Sequence, residues 1–198
     1  MNINQKVIKV NEVSKDLLNV FLEPYKDDCK YLKKAQFQYL DSMNLVDDSQ
    51  INKQGLWLIK ADFSIAESCY IADTGHFNSV EFNICYNQLF YVMIAYLLEN
   101  QLFEVMKHWD LDIYKRRQLS DFLIVKFSSV FKKPINSNNF QGTLSINKYS
   151  SRRNLIILKT SCAFSDDNDG CSEGDVTIAI LDSKLEKNID NFHKTAVA

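Results

Sequence analysis

The 198-residue sequence contains little glycine and proline, with 5 and 2 residues respectively. This scarcity excludes long flexible linkers and low-complexity segments. A net positive charge is also absent, because the formal charge at pH 7 is −2, and a nucleic-acid-binding protein therefore has no electrostatic support. The most hydrophobic run, Leu89–Leu98, is about half the length that a membrane span needs. We therefore expect a single globular domain with no nucleic-acid partner and no membrane span.

The 5 cysteines show neither a CxxC pair nor the spacing of a disulfide framework. Their number is odd, and the N-terminal sequence MNINQKVIKV lacks the apolar core of an export signal. Both features favour a reducing compartment, and we predict a cytoplasmic protein. No metal motif, Walker loop, nucleophile elbow or Rossmann glycine pattern is present in the sequence. We predict no metal and no cofactor.

Basic residues form three short clusters, Lys115–Arg117, Lys132–Lys133 and Arg152–Arg153. Such clusters are ordinarily a solvated face or the end of a strand. Their best alternative role is contact with a phosphate-bearing carrier such as coenzyme A, or with an acidic carrier protein.

Hydrophobic periodicity predicts a leading helix over Glu12–Leu22 with Ser14 as its cap, and one long helix over about 78–103. Six strands are predicted, at Cys29–Leu40, Gly55–Ser68, Asp121–Phe131, Phe140–Tyr149, Asn154–Phe164 and Gly174–Leu181. One long helix amid a mostly antiparallel sheet suggests an α+β protein whose sheet wraps round that helix, which is the plan of the hotdog fold. We assign residues 1–183 to this single domain and residues 184–198 to a polar, disordered tail.

The start of the long helix concentrates polar residues next to the most hydrophobic part of the chain. These residues are Asp73, His76, Asn78, Glu81, Asn83 and Asn87. Burying such groups costs about 1–3 kcal/mol each unless they find partners. Either the protein pairs them internally, or a ligand does.

Donors at a helix N-terminus can hold a carbonyl oxygen while negative charge builds on it. In the stretch that begins at Ser68, Tyr70 supplies a hydroxyl, Asn78 and Asn87 supply amides, and Gly75 frees backbone N–H groups just before the helix. Such a site can polarise a thioester, and the apolar half of the helix can line a channel for an acyl chain.

The alternative interpretation of these residues is structural, as capping groups and as core. Asn78 and Asn87 are nine positions apart, about half a turn out of phase on an ideal helix. Both can face one site only if Asn78 precedes the helix or if they come from different subunits. Asn83 and Asn87, at i and i+4, share one face.

Three segments of the sequence resemble the FcoT family of hotdog proteins. They are LEPY (Leu22–Tyr25), AESCYIADTGHFNSVEFNICYNQL (Ala66–Leu89) and QLSDFLIVKFSSVFKKPIN (Gln118–Asn136). The family was first described as long-chain fatty acyl-CoA thioesterases. Some members are assigned to isonitrile lipopeptide pathways, where they add glycine to a (2E)-enoyl-acyl carrier protein.

The resemblance implies catalytic roles for Tyr25, Tyr70, Asn78 and Asn87, all of which match the family's residues. It also implies a homo-oligomer with sites at subunit interfaces. Two regions depart from the family, namely a longer loop between the first two predicted strands and the C-terminal tail.

Two reactions fit this resemblance, and they differ in what attacks the substrate. Hydrolysis needs a water and usually a carboxylate base. The candidates are Glu67, Asp73 and Glu81, and none belongs to the family's core set. Addition of glycine to the β-carbon of an enoyl thioester instead gives an enolate that Tyr70 and the amides can hold.

Glycine addition also requires a proton acceptor and a cation. His76 can take the proton of the amine, because imidazole titrates near the working pH. Lys126 or Arg116 can bind the carboxylate of glycine, and Ser68 and Gly75 are further substrate-binding candidates.

We therefore predict an enzyme that gives a 3-[(carboxymethyl)amino] fatty acyl product. Its expected partners are glycine and an acyl carrier protein or acyl-CoA, with the substrate held on phosphopantetheine. The alternatives are a long-chain acyl-CoA thioesterase and a non-catalytic hotdog that only binds acyl carriers.

Overall fold

A computed structural model describes residues 7–40, 57–71 and 75–182 of the chain. Three sequence-based predictions lie outside these described residues: the longer loop between the first two predicted strands, the role of Asp73, and the polar tail over 184–198.

The described chain folds into seven strands and three α-helices. The strands are β1 (Val7–Glu12), β2 (Leu32–Leu40), β3 (Trp57–Phe63), β4 (Phe122–Lys133), β5 (Phe140–Arg152), β6 (Leu155–Ser165) and β7 (Cys171–Leu181). The helices are α1 (Lys15–Leu22), α2 (Ser79–Glu99) and α3 (Leu111–Arg117), with short 3-10 turns at Asp27–Cys29 and Glu104–Met106.

The six predicted strands are all present, and β1 is a further strand that was not predicted. This strand forms by pairing antiparallel with β2, with Glu12 opposite Gln36, and its own six residues show no clear alternation. As a consequence, the prediction of helix from Glu12 was wrong, and α1 begins three residues later. Ser14 caps it as predicted, because its side chain accepts a hydrogen bond from the backbone N–H of Leu17 at 3.1 Å.

The strands form one sheet in the order β1-β2-β3-β5-β6-β7-β4, and every neighbouring pair is antiparallel. α2 packs against β2, β3 and β5 of this sheet and against α1 and α3. All residues of its second half, Leu89–Leu98, are buried. The predicted α+β hotdog fold, a sheet wrapped round one long helix, is confirmed. Within the described ranges, no helix has both the length and the apolar character that crossing a bilayer requires.

One buried amide joins α2 to the start of β2. The Gln88 side chain donates to the carbonyl of Cys29 at 2.5 Å and accepts from the backbone N–H of Leu32 at 2.9 Å. Both groups would otherwise be buried without partners, which is costly. The segment between Cys29 and Leu32 is therefore fixed beside the central helix.

The chain just before α2 is anchored by an aromatic cluster. Phe77 is buried, and its ring packs against Phe82, Phe131, Phe140 and Phe164 with centroid distances of 4.9–6.4 Å. Its backbone N–H donates to the carbonyl of Ile135 at 3.2 Å. These contacts fix the residues that lead into the helix, including the two neighbours of Phe77.

Candidate active site

The predicted donors Tyr70 and Asn78 meet at the N-terminus of α2. The Asn78 side-chain N–H donates to the Tyr70 hydroxyl oxygen over 2.6 Å. Tyr70 is 49% exposed, so its phenol lies at the protein surface. Because the phenol oxygen already accepts from Asn78, its own proton is available for a carbonyl oxygen of a substrate.

The orientation of the Asn78 amide is set by the helix. Asn78 is the N-cap of α2, and its side-chain oxygen accepts from the backbone N–H of Val80 at 2.9 Å and from that of Glu81. With the oxygen committed to the helix, the NH2 group must point to Tyr70. Asn78 therefore precedes the helix, which is one of the two arrangements that the phase argument allowed.

Glu81 completes a reciprocal capping box with Asn78. Its carboxylate accepts from the Asn78 backbone N–H at 3.1 Å, and the residue is only 1% exposed. Glu81 was one of three candidates for a hydrolytic base, and the structure gives it this capping role. Of the other two, Glu67 is exposed and Asp73 lies outside the described residues.

The remaining predicted residues of this stretch are Ser68, Gly75 and His76. The Ser68 hydroxyl is buried and has no hydrogen-bond partner within the described part of the chain. Gly75 has φ +69° with no atom within 4 Å of an added Cβ, a conformation that favours glycine. His76 is exposed and lines a cavity of about 420 Å³ with Asn78. The other lining residues are Phe77, Ser79, Phe131, Lys132, Lys133 and Pro134.

Tyr25 and Asn87 lie beside the middle of α2 instead. Burial, together with the neighbouring Tyr91 and Cys85, raises the pKa of Tyr25 far above its ordinary value. Its phenol therefore stays neutral and can serve as a hydrogen-bond donor. The Asn87 side chain donates to Asn83 at 3.4 Å, which agrees with their predicted shared face.

The four residues carried over from the family thus lie at two different levels of α2 within one chain. Nine residues separate Asn78 from Asn87, which corresponds to about 13 Å along the axis of an α-helix. Tyr70 and Asn78 make up the group at the helix end. Tyr25 and Asn87 belong to the middle of the helix.

The predicted carboxylate-binding cations lie elsewhere, since Lys126 on β4 and Arg116 on α3 are exposed and do not line the His76 cavity. Lys132 and Lys133 do line it, whereas the sequence predicted them as a solvated basic cluster or, alternatively, as a contact for a phosphate-bearing or acidic carrier. They directly follow Phe131 at the end of β4, and this adjacency was the signal that could have linked them to the cavity. In the described ranges, no three His, Cys, Asp or Glu side chains are grouped as metal ligands.

A single antiparallel sheet wrapped round one long helix defines an α+β protein of the hotdog fold. Within that class, the chain belongs to the FcoT-like thioesterase domain family, whose model matches residues 20–180. The family predicted from sequence is thereby confirmed.

Three relatives align with most of this chain. The (2E)-enoyl-[ACP] glycyltransferase of Streptomyces coeruleorubidus is 35% identical over 170 residues, which cover 83% of this chain and 95% of that protein. The protein of the same name from Mycobacterium bovis is 36% identical over 173 residues, covering 85% of this chain and 87% of its own. The corresponding protein of Mycobacterium marinum is 35% identical over 173 residues, with the same coverage.

Proposed function

We propose that this protein is a (2E)-enoyl-[acyl-carrier-protein] glycyltransferase, which adds the nitrogen of glycine to the β-carbon of an enoyl thioester. Relatives that carry this name match at 35–36% identity over most of the chain. The product is a 3-[(carboxymethyl)amino] fatty acyl thioester. No cofactor takes part in this reaction.

The observation that carries the proposal is the Tyr70–Asn78 contact, next to which the Glu81 carboxylate is engaged in capping α2. The hydroxyl and amide supply neutral donors to an oxyanion, while the nearest buried carboxylate already accepts the Asn78 backbone N–H. Among the described residues, the buried carboxylate next to these donors is thus engaged in capping, which suits attack by an amine better than activation of water.

The proposed reaction leaves the thioester bond intact. The neutral amine of glycine forms a C–N bond to the β-carbon, and the electron pair of the double bond moves onto the thioester oxygen. Tyr70 donates its phenol proton in a hydrogen bond to this enolate oxygen, and Asn78 supports the phenol. The nitrogen then loses one proton, and the α-carbon gains one.

His76 is the proposed acceptor of the amine proton. It lies two residues before Asn78 and lines the same cavity. Its imidazole can take this proton and return it to solvent or to the α-carbon.

Glycine's carboxylate requires a cation in the same cavity. Lys132 is held by Glu173 at 2.7 Å, whereas Lys133 lies 3.7 Å from Asp169, a longer and weaker pair. Since Lys126 and Arg116 do not line this cavity, we propose that Lys133 takes the role first assigned to them.

A second copy of the chain is the expected partner in assembly. β4 forms one edge of the sheet and pairs only with β7 among the described strands. It exposes the apolar side chains of Leu123, Ile124, Val125, Val130 and Phe131. An uncovered edge with such side chains tends to associate, and a second copy on β4 would add donors from another subunit to the site.

All five cysteines are free thiols, in keeping with the expected cytoplasmic location.

The test is mass spectrometry of the purified protein with a (2E)-enoyl-acyl carrier protein, with and without glycine, alongside a free-thiol assay. We expect a carrier heavier by one glycine and no release of thiol. Glycine-independent thiol release without an adduct would make the protein a thioesterase. Binding without turnover would leave a carrier-binding hotdog.

A further inference from the structure

A groove lined by lysines lies where α1 meets β2 and β3. It has a volume of about 620 Å³, and its lysines are Lys15, Lys33, Lys34 and Lys60. On these strands Ala35, Phe37, Ile59 and Ala61 are buried in the core. The alternating residues Lys34 and Lys60 therefore face outward into the groove.

The groove carries a net positive charge, because its lining contains four lysines and two carboxylates, one of which, Asp62, is the cross-strand partner of Lys34. None of its four lysines forms an ion pair with a carboxylate within the described part of the chain. Of the two lining carboxylates, Asp62 accepts a hydrogen bond from Gln141 at 3.3 Å, and Glu12 is exposed. In contrast, Lys132 and Lys133 each have an acidic neighbour. Like charges held together repel one another, so such a cluster favours an acidic partner.

The groove is connected to the candidate active site through the start of β2. The Tyr31 hydroxyl accepts from the backbone N–H of Cys69 at 3.1 Å, and Cys69 directly precedes Tyr70. Lys33 lies two residues from Tyr31, about 7 Å along an extended chain. Because Gln88 fixes this segment against α2, a partner on the groove is held at a defined position relative to Tyr70.

We propose that the lysine groove docks the acidic carrier protein that delivers the acyl thioester. This inference rests on the proposed function, because it names the surface that recognises the carrier. The four lysines face separate carboxylates of the carrier, and Glu12 and Asp62 restrict which surface can approach.

The test is a charge reversal, Lys33→Glu with Lys34→Glu, assayed with two substrates that carry the same enoyl group. One substrate is the enoyl-carrier protein, and the other is the enoyl thioester of pantetheine alone. We expect KM for the carrier substrate to rise about tenfold or more and to lose its dependence on salt, since rim charges control encounter. The kinetics with the pantetheine thioester should stay within about twofold of the unmodified protein.

Lys148→Glu with Lys159→Glu is the matched control, because it changes the net charge equally at two exposed lysines that are cross-strand partners on β5 and β6, outside the groove. The proposal is overturned if the control raises KM for the carrier substrate by the same factor, or if the lysine variant raises KM for the pantetheine thioester equally. It is also overturned if the lysine variant leaves KM for the carrier substrate unchanged. A similar rise in KM for the coenzyme A thioester would also overturn it, since the groove would then bind nucleotide phosphates.

Docking can also be measured without turnover. Fluorescence anisotropy with a labelled saturated acyl-carrier protein reports binding even if glycine addition fails. Weaker binding by the lysine variant alone supports the groove independently of the reaction. Equal binding by the unmodified protein, the lysine variant and the control variant excludes the lysine groove as the docking surface.

Discussion

The Asn78 side-chain N–H donates to the Tyr70 hydroxyl over 2.6 Å, across eight positions of sequence. This contact joins a surface loop to the first turn of the buried helix. It fixes the phenol oxygen as an acceptor and leaves the phenol proton free for a substrate.

Removing the Tyr70 hydroxyl should therefore abolish most activity and leave stability unchanged. Tyr70→Phe is expected to lower kcat by about 10²–10³-fold, the effect of losing one oxyanion donor. Since Tyr70 is half exposed, the melting temperature of the Tyr70→Phe variant should stay close to that of the unmodified protein. Tyr149→Phe, a half-buried tyrosine that packs on Trp57 and Phe103, is the control. A normal kcat in Tyr70→Phe would remove Tyr70 from the site.

The two roles of Asn78 can be separated by two substitutions. Asn78→Asp keeps an oxygen that can cap α2 but lacks the donor to Tyr70, whereas Asn78→Ala lacks both. We expect both variants to lose activity, and only Asn78→Ala to lose about 0.5–2 kcal/mol of the free energy of unfolding. Denaturant titration and adduct formation give the two readouts. Full activity in Asn78→Asp would show that the cap alone matters.

Tyr25 should act as a neutral donor across the working pH range. Burial raises its pKa above the ordinary value, with Tyr91 and Cys85 adding to the shift, so the phenol remains protonated well above pH 10. Tyr25→Phe is expected to lower kcat/KM at every pH without moving the alkaline limb of the profile. If that limb disappeared in Tyr25→Phe, Tyr25 would be an ionising catalyst.

The lowered pKa of Asp166 determines how the stability of the fold should change at acidic pH. Its carboxylate accepts backbone N–H bonds from Asn136, Asn168 and Gly170 at 2.6–2.8 Å, which hold its pKa below the ordinary value. A lowered folded pKa gives stability that is present at neutral pH and is lost as the pH falls below about 4.

Asp166→Asn should therefore lower the melting temperature at pH 7 and flatten the loss of stability below pH 4. Asp167→Asn is the control, because the neighbouring Asp167 accepts none of the three bonds from Asn136, Asn168 and Gly170. Equal melting curves for Asp166→Asn and the unmodified protein would contradict the role given to this carboxylate.

Local patterns in the sequence predicted the parts of the structure that depend on neighbouring residues. Ser14 before an apolar period gave a helix cap, and Asn83 and Asn87 followed helical spacing. The pattern Asn78-x-x-Glu81 is itself a capping-box signature, and it could have identified the structural role of Glu81. The sequence analysis assigned Glu81 no specific internal partner and offered it as a possible base, so this signal was missed.

Other parts required the tertiary fold. The Tyr70–Asn78 contact depends on residues without periodicity, and its two sides are positioned by the packing of Phe77 and by the hydrogen bond from Cys69 to Tyr31. β1 exists because β2 offers it an edge. The lysines of the groove come from three elements, α1, β2 and β3, so no single stretch of sequence revealed it.

The central claim, that glycine adds to the β-carbon of an enoyl thioester, is tested most directly by running the reaction in D2O with glycine labelled at nitrogen. Conjugate addition predicts a carrier-bound product in which the labelled nitrogen is bonded to the β-carbon and one deuterium is at the α-carbon. Free acid and carrier thiol, with no carbon-bound deuterium and no labelled nitrogen, would contradict the account and assign hydrolysis instead.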